Sequence, residues 1–566
     1  MKQEQKNFLI FAVIAALILF AWEPIVRFVY PSAVTRPTEV IAGGERVAKP
    51  DPSADPAANT PGAIRDRNAV LAETPRVAID TPTLKGSINL KGARIDDLVL
   101  TRYDQTVDKN SPPIRLFSPS GTEKAYFAGF GWRGTGLAAP DANTVWQASA
   151  PTLKPGQPVT LSARVGAQVY RIQLAVDDAY MFTATQTVGN TGGQPVQVVP
   201  FSYLSRAEKS ADVDQWTAHV GAIAATTEKA NYINYDEVTP TATRFETRGG
   251  YAGFTDHYWL TAVIPDPKVA SELRLISAGE RSFQVDTEPA SAARLAPGQQ
   301  LTQTSRLFAG AKEVNILDRY EEQGGIPHFG RAIDWGWFEI LEKPIFHFLH
   351  WIFTNVHNFG VAIILLTLTI RLLLFPIAQK QFAGMAAMRA VQPKMKALQE
   401  RYKDDKAQLQ QKMMELYKTE KVNPLAGCLP TLIQIPILFA LYKVLILAIE
   451  MRHQPFALWI KDLSAPDPLT PVNLFGLLDF TPPGFLAIGV IPILLGISMW
   501  AQFRLNPAPM DEVQKQVFAI MPWMLMFMMA PFAVGLQIYW ITSNLLTIAQ
   551  QQWLYSRHPA LKQKPA

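Results

Sequence analysis

Ile363-Ile-Leu-Leu-Thr-Leu-Thr-Ile-Arg-Leu-Leu-Leu-Phe-Pro376 sets one arginine inside an apolar run, five residues before the proline that closes it. This run, about 357–376, is one of six in the 566-residue chain; the others cover about 8–30, 429–449, 485–503, 516–531 and 533–553. Such segments read as membrane-spanning helices, and an even number returns the C-terminus to the N-terminal side. The loops give the orientation. Residues 377–427 carry Lys380, Arg389, Lys394, Lys396, Arg401, Lys403, Lys406, Lys412, Lys418 and Lys421. Arg504 and Lys515 follow the fourth run, and Arg557, Lys562 and Lys564 lie in the tail. The positive-inside rule puts all of these in the cytoplasm, together with both termini, and puts residues 31–330 in the periplasm of a Gram-negative cell. Lys2 and Lys6 precede the first run, but no small-x-small cleavage site follows it, so residues 1–30 read as an uncleaved anchor in an inner membrane.

Between the anchor and the other runs the composition changes twice. Residues 31–82 carry eight prolines among Ala, Asp, Thr and Asn, which predicts an extended tether. Residues 83–320 alternate in short segments: Tyr170-Arg-Ile-Gln-Leu-Ala-Val176 puts Tyr170, Ile172, Leu174 and Val176 on one face. Turn residues such as Gly189-Asn-Thr-Gly-Gly193 punctuate them, predicting a large all-β domain, a sandwich. Residues 333–355 mix Trp335, Trp337, Phe338, Phe346 and Trp351 with Glu339, Glu342, Lys343, His347 and His350, which suits a helix lying at the membrane interface. His347 and His350 have an i,i+3 spacing, but no third ligand accompanies them, so no metal site is expected. Cys428 is the only cysteine and rules out an intramolecular disulfide framework.

Residues 356–556 thus form a five-helix membrane core, and Arg371 is its strongest signal. An arginine five residues from a helix end can snorkel to the headgroups. Other spans carry polar groups as well: Thr367 one turn from Arg371, Gln434, Ser498, Gln502, Gln537, Thr542, Ser543 and Asn544. Polar groups in hydrocarbon need water or a partner. Two arrangements satisfy them: one shared wet cavity holding Arg371, or separate helix–helix hydrogen bonds. Lys443, a second intramembrane charge, lies seven residues from Glu450 and is expected to snorkel outward. The fourth and fifth runs are short and contain Pro492 and Pro522. Sixteen residues reach about 24 Å against a hydrocarbon core of about 30 Å, a mismatch that thins the bilayer.

The cytoplasmic insert, 384–424, reads as a helical hairpin whose second helix starts at Asp405 with Gln408 three residues on; residues 557–566 are a basic tail. Met385, Met388, Met395, Met413 and Met414 lie in the insert, and Met521, Met524, Met526, Met528 and Met529 crowd the fifth run. Clustered methionine makes an adaptable apolar surface, so the insert is either a solvated spacer or a docking arm for a ribosome or client. There is no His-Glu-x-x-His, Gly-x-Ser-x-Gly or phosphate-binding loop, so neither an enzyme nor a bound cofactor is expected. A transporter or channel with a midplane polar cavity is the alternative, but the internal symmetry usual in transporters is missing.

Several motifs resemble the YidC membrane insertases. They are Arg371-Leu-Leu-Leu-Phe-Pro376, Met388-Arg-Ala-Val-Gln-Pro-Lys394, Leu416-Tyr-Lys418, Glu420-Lys-Val-Asn-Pro-Leu425, Cys428-Leu-Pro-Thr-Leu-Ile-Gln-Ile-Pro-Ile437, Pro455-Phe-Ala-Leu-Trp-Ile-Lys-Asp-Leu463 and Tyr539-Trp-Ile-Thr-Ser-Asn-Leu545. The resemblance covers all of 330–555. It implies an insertase and chaperone that works alone or with the Sec translocon on nascent membrane-protein clients, among membrane lipids. It also implies a hydrophilic groove open to cytoplasm and lipid and closed toward the periplasm, with Arg371 as the groove arginine. Thr367, Tyr539 and Trp540 fall on client-contacting positions; Trp540 stands where tyrosine is frequent and lacks its hydroxyl. With Gln434, Gln502, Gln537, Ser543 and Asn544 these make the expected client-binding groove. The periplasmic domain of such members resembles a β-supersandwich related to sugar mutarotases.

Overall fold

The computed structural model describes residues 64–210, 212, 218–277, 282–402, 405–420, 429–475, 477–478, 480, 487–505 and 512–557. The expected anchor, most of the tether, Cys428 and the tail beyond Arg557 lie outside the described residues. The chain divides into two compact units, residues 31–334 and residues 335–566 with 1–30.

The first unit is the β domain, and it starts earlier than expected. Helix α1, Arg67–Ala72, is capped by Asp66, which accepts from Ala69 N at 3.0 Å. The strand Arg76–Asp80 follows, pairing antiparallel with Leu84–Asn89. Both fall in the segment read as tether. The alternation that buries Val77 and Ile79 was already present in Arg76-Val-Ala-Ile-Asp80, but the prolines on either side masked it.

Two sheets make up the domain among the described residues. An eleven-stranded sheet runs Thr243–Thr247, Ser271–Ser277, Phe283–Pro289, Val196–Arg206, Tyr126–Arg133, Arg94–Asp104, Leu84–Asn89, Arg76–Asp80, Thr152–Leu153, with Ala293–Leu295 and Pro113–Phe117 beside it. A nine-stranded sheet runs Ala230–Ile233, Gly221–Ala225, Tyr251–Thr255, Trp259–Ile264, Gln300–Ala311, Met181–Asn190, Gln168–Val176, Val159–Val165, Gln147–Ala148. The predicted face is the one buried: Tyr170, Ile172 and Leu174 are fully covered, and the intervening Arg171 and Gln173 are exposed. Helix α2, Val314–Glu322, closes the domain by burying Val314, Leu317 and Tyr320.

The core holds charge as well as apolar surface. Arg133 pairs with Glu288, Arg274 Nε donates to Asp286 at 2.7 Å, and Arg206 Nη1 donates to both oxygens of Asp256 at 2.9 and 3.2 Å. Arg206 also sits over the Tyr126 ring, 4.9 Å from its centroid. Lys312, almost wholly buried, donates to Thr255 Oγ1 at 3.0 Å, and burial pushes its pKa down to about 8.

The second unit is helical. Helix α3, Glu339–Val356, covers the predicted interfacial segment and buries Phe346, Leu349 and Ile352 while exposing Ile340 and Trp351. Helix α4, Phe359–Leu373, is capped by Asn358, which accepts from Val361 N at 3.0 Å. Helices α5, Phe375–Arg401, and α6, Lys406–Thr419, form the hairpin. It begins at Phe375 rather than at 384, because Pro376 lies in the first turn of α5, where a missing N–H costs nothing. Asp405 caps α6 as its position predicts, accepting from Gln408 N at 3.0 Å. Helices α7, Leu429–Leu447, α8, Val490–Leu505, α9, Glu512–Met529, and α10, Val534–Arg557, occupy the remaining apolar runs. Among the described residues no helix is long and apolar enough to cross a membrane. Helix α4, with 15 residues, extends about 22 Å.

One charge differs from expectation, and a second is buried where sequence gave no placement. Lys443 on α7 does not snorkel; it is buried, 4% exposed. Glu342 on α3, one of the charged residues that suggested an interfacial helix, is fully buried. Helix α3 packs against α7, and this contact covers a face that sequence periodicity left open.

Candidate functional site

Helix α10 is the centre of the bundle and packs against α4, α8 and, less extensively, α7. Its polar run Ser543-Asn544 splits between neighbours, since successive residues on a helix point about 100° apart. Ser543 turns to α4 and accepts a hydrogen bond from the Arg371 guanidinium. Asn544 turns to α8 and donates through Nδ2 to Ser498 Oγ at 2.9 Å. Tyr539, one turn before Ser543, is buried and within electrostatic reach of Arg371.

The expected groove residues therefore separate into two groups. Arg371, Ser543 and Tyr539 come together between α4 and α10, where Arg371 stays partly exposed. Among the described residues it has no carboxylate partner. Trp540, Thr542 and Gln502 are likewise partly exposed. The others resolve as helix–helix or local bonds. Gln537, fully buried, donates through Nε2 to Met529 O at 3.0 Å and Phe532 O at 2.9 Å, tying the α9–α10 turn together. Thr367 donates back to Ile363 O at 2.6 Å and is buried. Asn544 and Ser498 satisfy each other. A buried amide next to free backbone carbonyls bonds locally, so the polar positions do not all share one cavity. The side chains of Gln434, Met385 and Met388 lie outside the described residues. Met395 and Met413 are partly exposed and Met414 is exposed, so the hairpin carries accessible methionine.

Sequence reading missed the loop 448–475. Asp467, buried, accepts from Trp459 Nε1 at 2.9 Å, from Leu469 N at 3.0 Å and from Ile491 N at 2.8 Å. The last bond satisfies the α8 start. Leu463 O and Ala465 O accept from Gly535 N and Val534 N at the start of α10, both at 2.9 Å. Asn358 Nδ2, at the start of α4, donates to Phe456 O at 2.9 Å. The Phe456 ring lies so close to Gly360 that any side chain there would overlap it. One loop thus seals the starts of three helices, whose first N–H groups lack partners within their own helices. The signal available in sequence was the aspartate before an apolar run; its partners were not.

Comparison with known proteins identifies the family. The family model described as 60Kd inner membrane protein matches residues 351–562, and that of the YidC periplasmic domain matches residues 76–348. The membrane protein insertase YidC of Zymomonas mobilis is 47% identical over 98% of this chain and 96% of its own. That of Methylobacterium radiotolerans is 45% identical over 90% of this chain and 87% of its own. Among solved structures, an active YidC insertase with its first transmembrane domain resolved matches 84% of this chain and 92% of its own, at 19% identity and a TM-score of 0.36. With near-complete coverage at such identity, the chain belongs to the YidC family of membrane protein insertases.

Proposed function

We propose that Arg371, held by Ser543 between α4 and α10, is the fixed positive charge that receives the acidic residues of a client during insertion. The observation that carries this reading is its partner: Arg371 is permanently charged, partly exposed, and hydrogen-bonded to a neutral hydroxyl. A guanidinium pairs most strongly with a carboxylate in a low-dielectric setting. An arriving acidic segment supplies that carboxylate, and Trp540, Thr542 and Gln502 offer it further contacts. Helices α4, α8 and α10 enter from the periplasmic face, where loop 448–475 closes the bundle, so the groove opens toward cytoplasm and lipid. Both termini are cytoplasmic and the β domain is periplasmic, as the charged loops require. Release into lipid is driven by burial of the client's own apolar span. Short helices thin the bilayer around the bundle and shorten the polar path. The methionine hairpin serves as the docking arm for a ribosome or nascent chain, and the Sec translocon shares some clients; both partners follow from the family resemblance.

Depletion of the protein followed by complementation with Arg371→Ala tests the reading. Insertion of a client with an acidic translocated tail is expected to fall about tenfold or more, the loss of roughly 1.4 kcal/mol or more from one charged hydrogen bond. Normal insertion of that client removes Arg371 from the mechanism.

A further inference from the structure

The loop that seals the bundle also carries an exposed apolar tip. Its base is clamped by Asp467 on the start of α8, and Thr470 Oγ1 accepts from Val472 N at 3.2 Å. From there the chain enters a short turn, Pro471–Asn473, and passes through Leu474 and Phe475 with φ of 50° and 59°. Two consecutive bulky residues in the left-handed region are an uncommon and costly arrangement, kept only where surroundings impose it. The result turns side chains outward: Val472, Leu474, Phe475, Leu477, Leu478 and Phe480 are exposed, Leu477 to 83%.

What the tip faces follows from its place and its charge. Its base joins the first turn of an apolar helix, and Val490 stands ten residues beyond Phe480. Across residues 468–488 Asp479 is the only charged residue. An apolar tip with a single charge, beside a helix start, matches the boundary between lipid headgroups and acyl chains. A charged protein partner would find only Asp479 there to pair with.

We propose that Val472, Leu474, Phe475, Leu477, Leu478 and Phe480 form a lipid-binding wedge seated in the periplasmic leaflet beside the start of α8. It holds the closed end of the bundle at a set depth, so that the short helices, and not that end, absorb the mismatch with the bilayer. The leaflet assigned rests on the topology given under Proposed function.

The native cysteine is replaced by Cys428→Ser, and single cysteines are introduced in the full chain by Phe475→Cys, Leu477→Cys and, in an exposed bend of the β domain, Val107→Cys. Each protein carries a nitroxide label and is reconstituted in phosphatidylethanolamine–phosphatidylglycerol vesicles. At 475 and 477 collisions with oxygen are expected to exceed those with a water-soluble nickel chelate by roughly threefold or more, with the order reversed at 107. Chelate-dominated collisions at 475 and 477 overturn the proposal, because the tip is then in water. Low access to both reagents also overturns it, because a second copy or another part of the chain then covers the tip. Sidedness is read separately on intact cells, with an impermeant maleimide against Lys461→Cys and Ser556→Cys. Labelling of 461 alone supports the periplasmic leaflet. Labelling of 556 alone overturns the topology and the leaflet, whatever the depth at 475.

Discussion

Arginines in the two units are treated in opposite ways. In the β domain Arg133 and Arg274 are buried, Arg206 is partly covered, and each meets a carboxylate. In the helical unit Arg371 is partly exposed and meets the Ser543 hydroxyl. Burial makes an unpaired charge costly, so a domain that only has to stay folded pairs its arginines internally. On the proposed reading, a groove that binds passing chains leaves its arginine without a resident counter-ion because each client brings one, and the difference separates charge used for architecture from charge used for insertion.

The contrast predicts different losses on substitution. Asp286→Ala leaves buried Arg274 with only the longer, 4.0 Å contact to Glu288 among the described residues and is expected to cost about 3–5 kcal/mol in urea unfolding of a fragment spanning residues 64–334; a loss below about 1 kcal/mol would erase the distinction drawn between the units. Lys312 gives the same domain a pH signature. As a base whose folded pKa, about 8, lies below its ordinary 10.5, it binds fewer protons folded than unfolded between those values. Stability should therefore rise from pH 8 toward pH 10, by on the order of 2–3 kcal/mol. Above about pH 10 the trend should turn, since burial raises the pKa of Tyr126 and Tyr251 and these stay protonated only in the folded form. Lys312→Met should flatten the rise, as followed by thermal unfolding across pH. The smallest expected effect is in the helical unit, where Asn544→Leu leaves the Ser498 hydroxyl without its α10 partner. Resistance to denaturation in detergent should drop by about 1 kcal/mol, with insertion largely retained, because that pair holds helices together. Complete loss of insertion would instead return Asn544 to the groove.

Much of the fold could be read from residue patterns. Alternation at Tyr170–Val176 gave the buried face, and Asp405 with Gln408 gave the start of α6, because both depend on neighbours within a few residues. Arg371 stood out for the same kind of reason: a charge in an apolar run is conspicuous without its partners. The site was less legible where partners come from afar. Gln537 and Asn544 looked like groove residues, yet they bond to Met529, Phe532 and Ser498. Lys443 looked like a snorkelling residue, yet it is buried within the helical unit. Arg76–Asp80 was hidden by prolines in the surrounding segment, and Asp467 by its bonds to a tryptophan eight residues back and a helix 24 residues on. Periodicity gives the face of an element and leaves open what covers it.

The claim that Arg371 works as an unpaired charge is tested most directly by a double-mutant cycle on insertion. Two clients that differ only in one translocated residue, aspartate or asparagine, are inserted by the native protein and by Arg371→Gln. With the native protein the aspartate client should insert faster, and with Arg371→Gln the two rates should converge, a coupling of about 1–3 kcal/mol. An unchanged preference for the aspartate client in Arg371→Gln would show that the charge of Arg371 is not what the client's carboxylate meets.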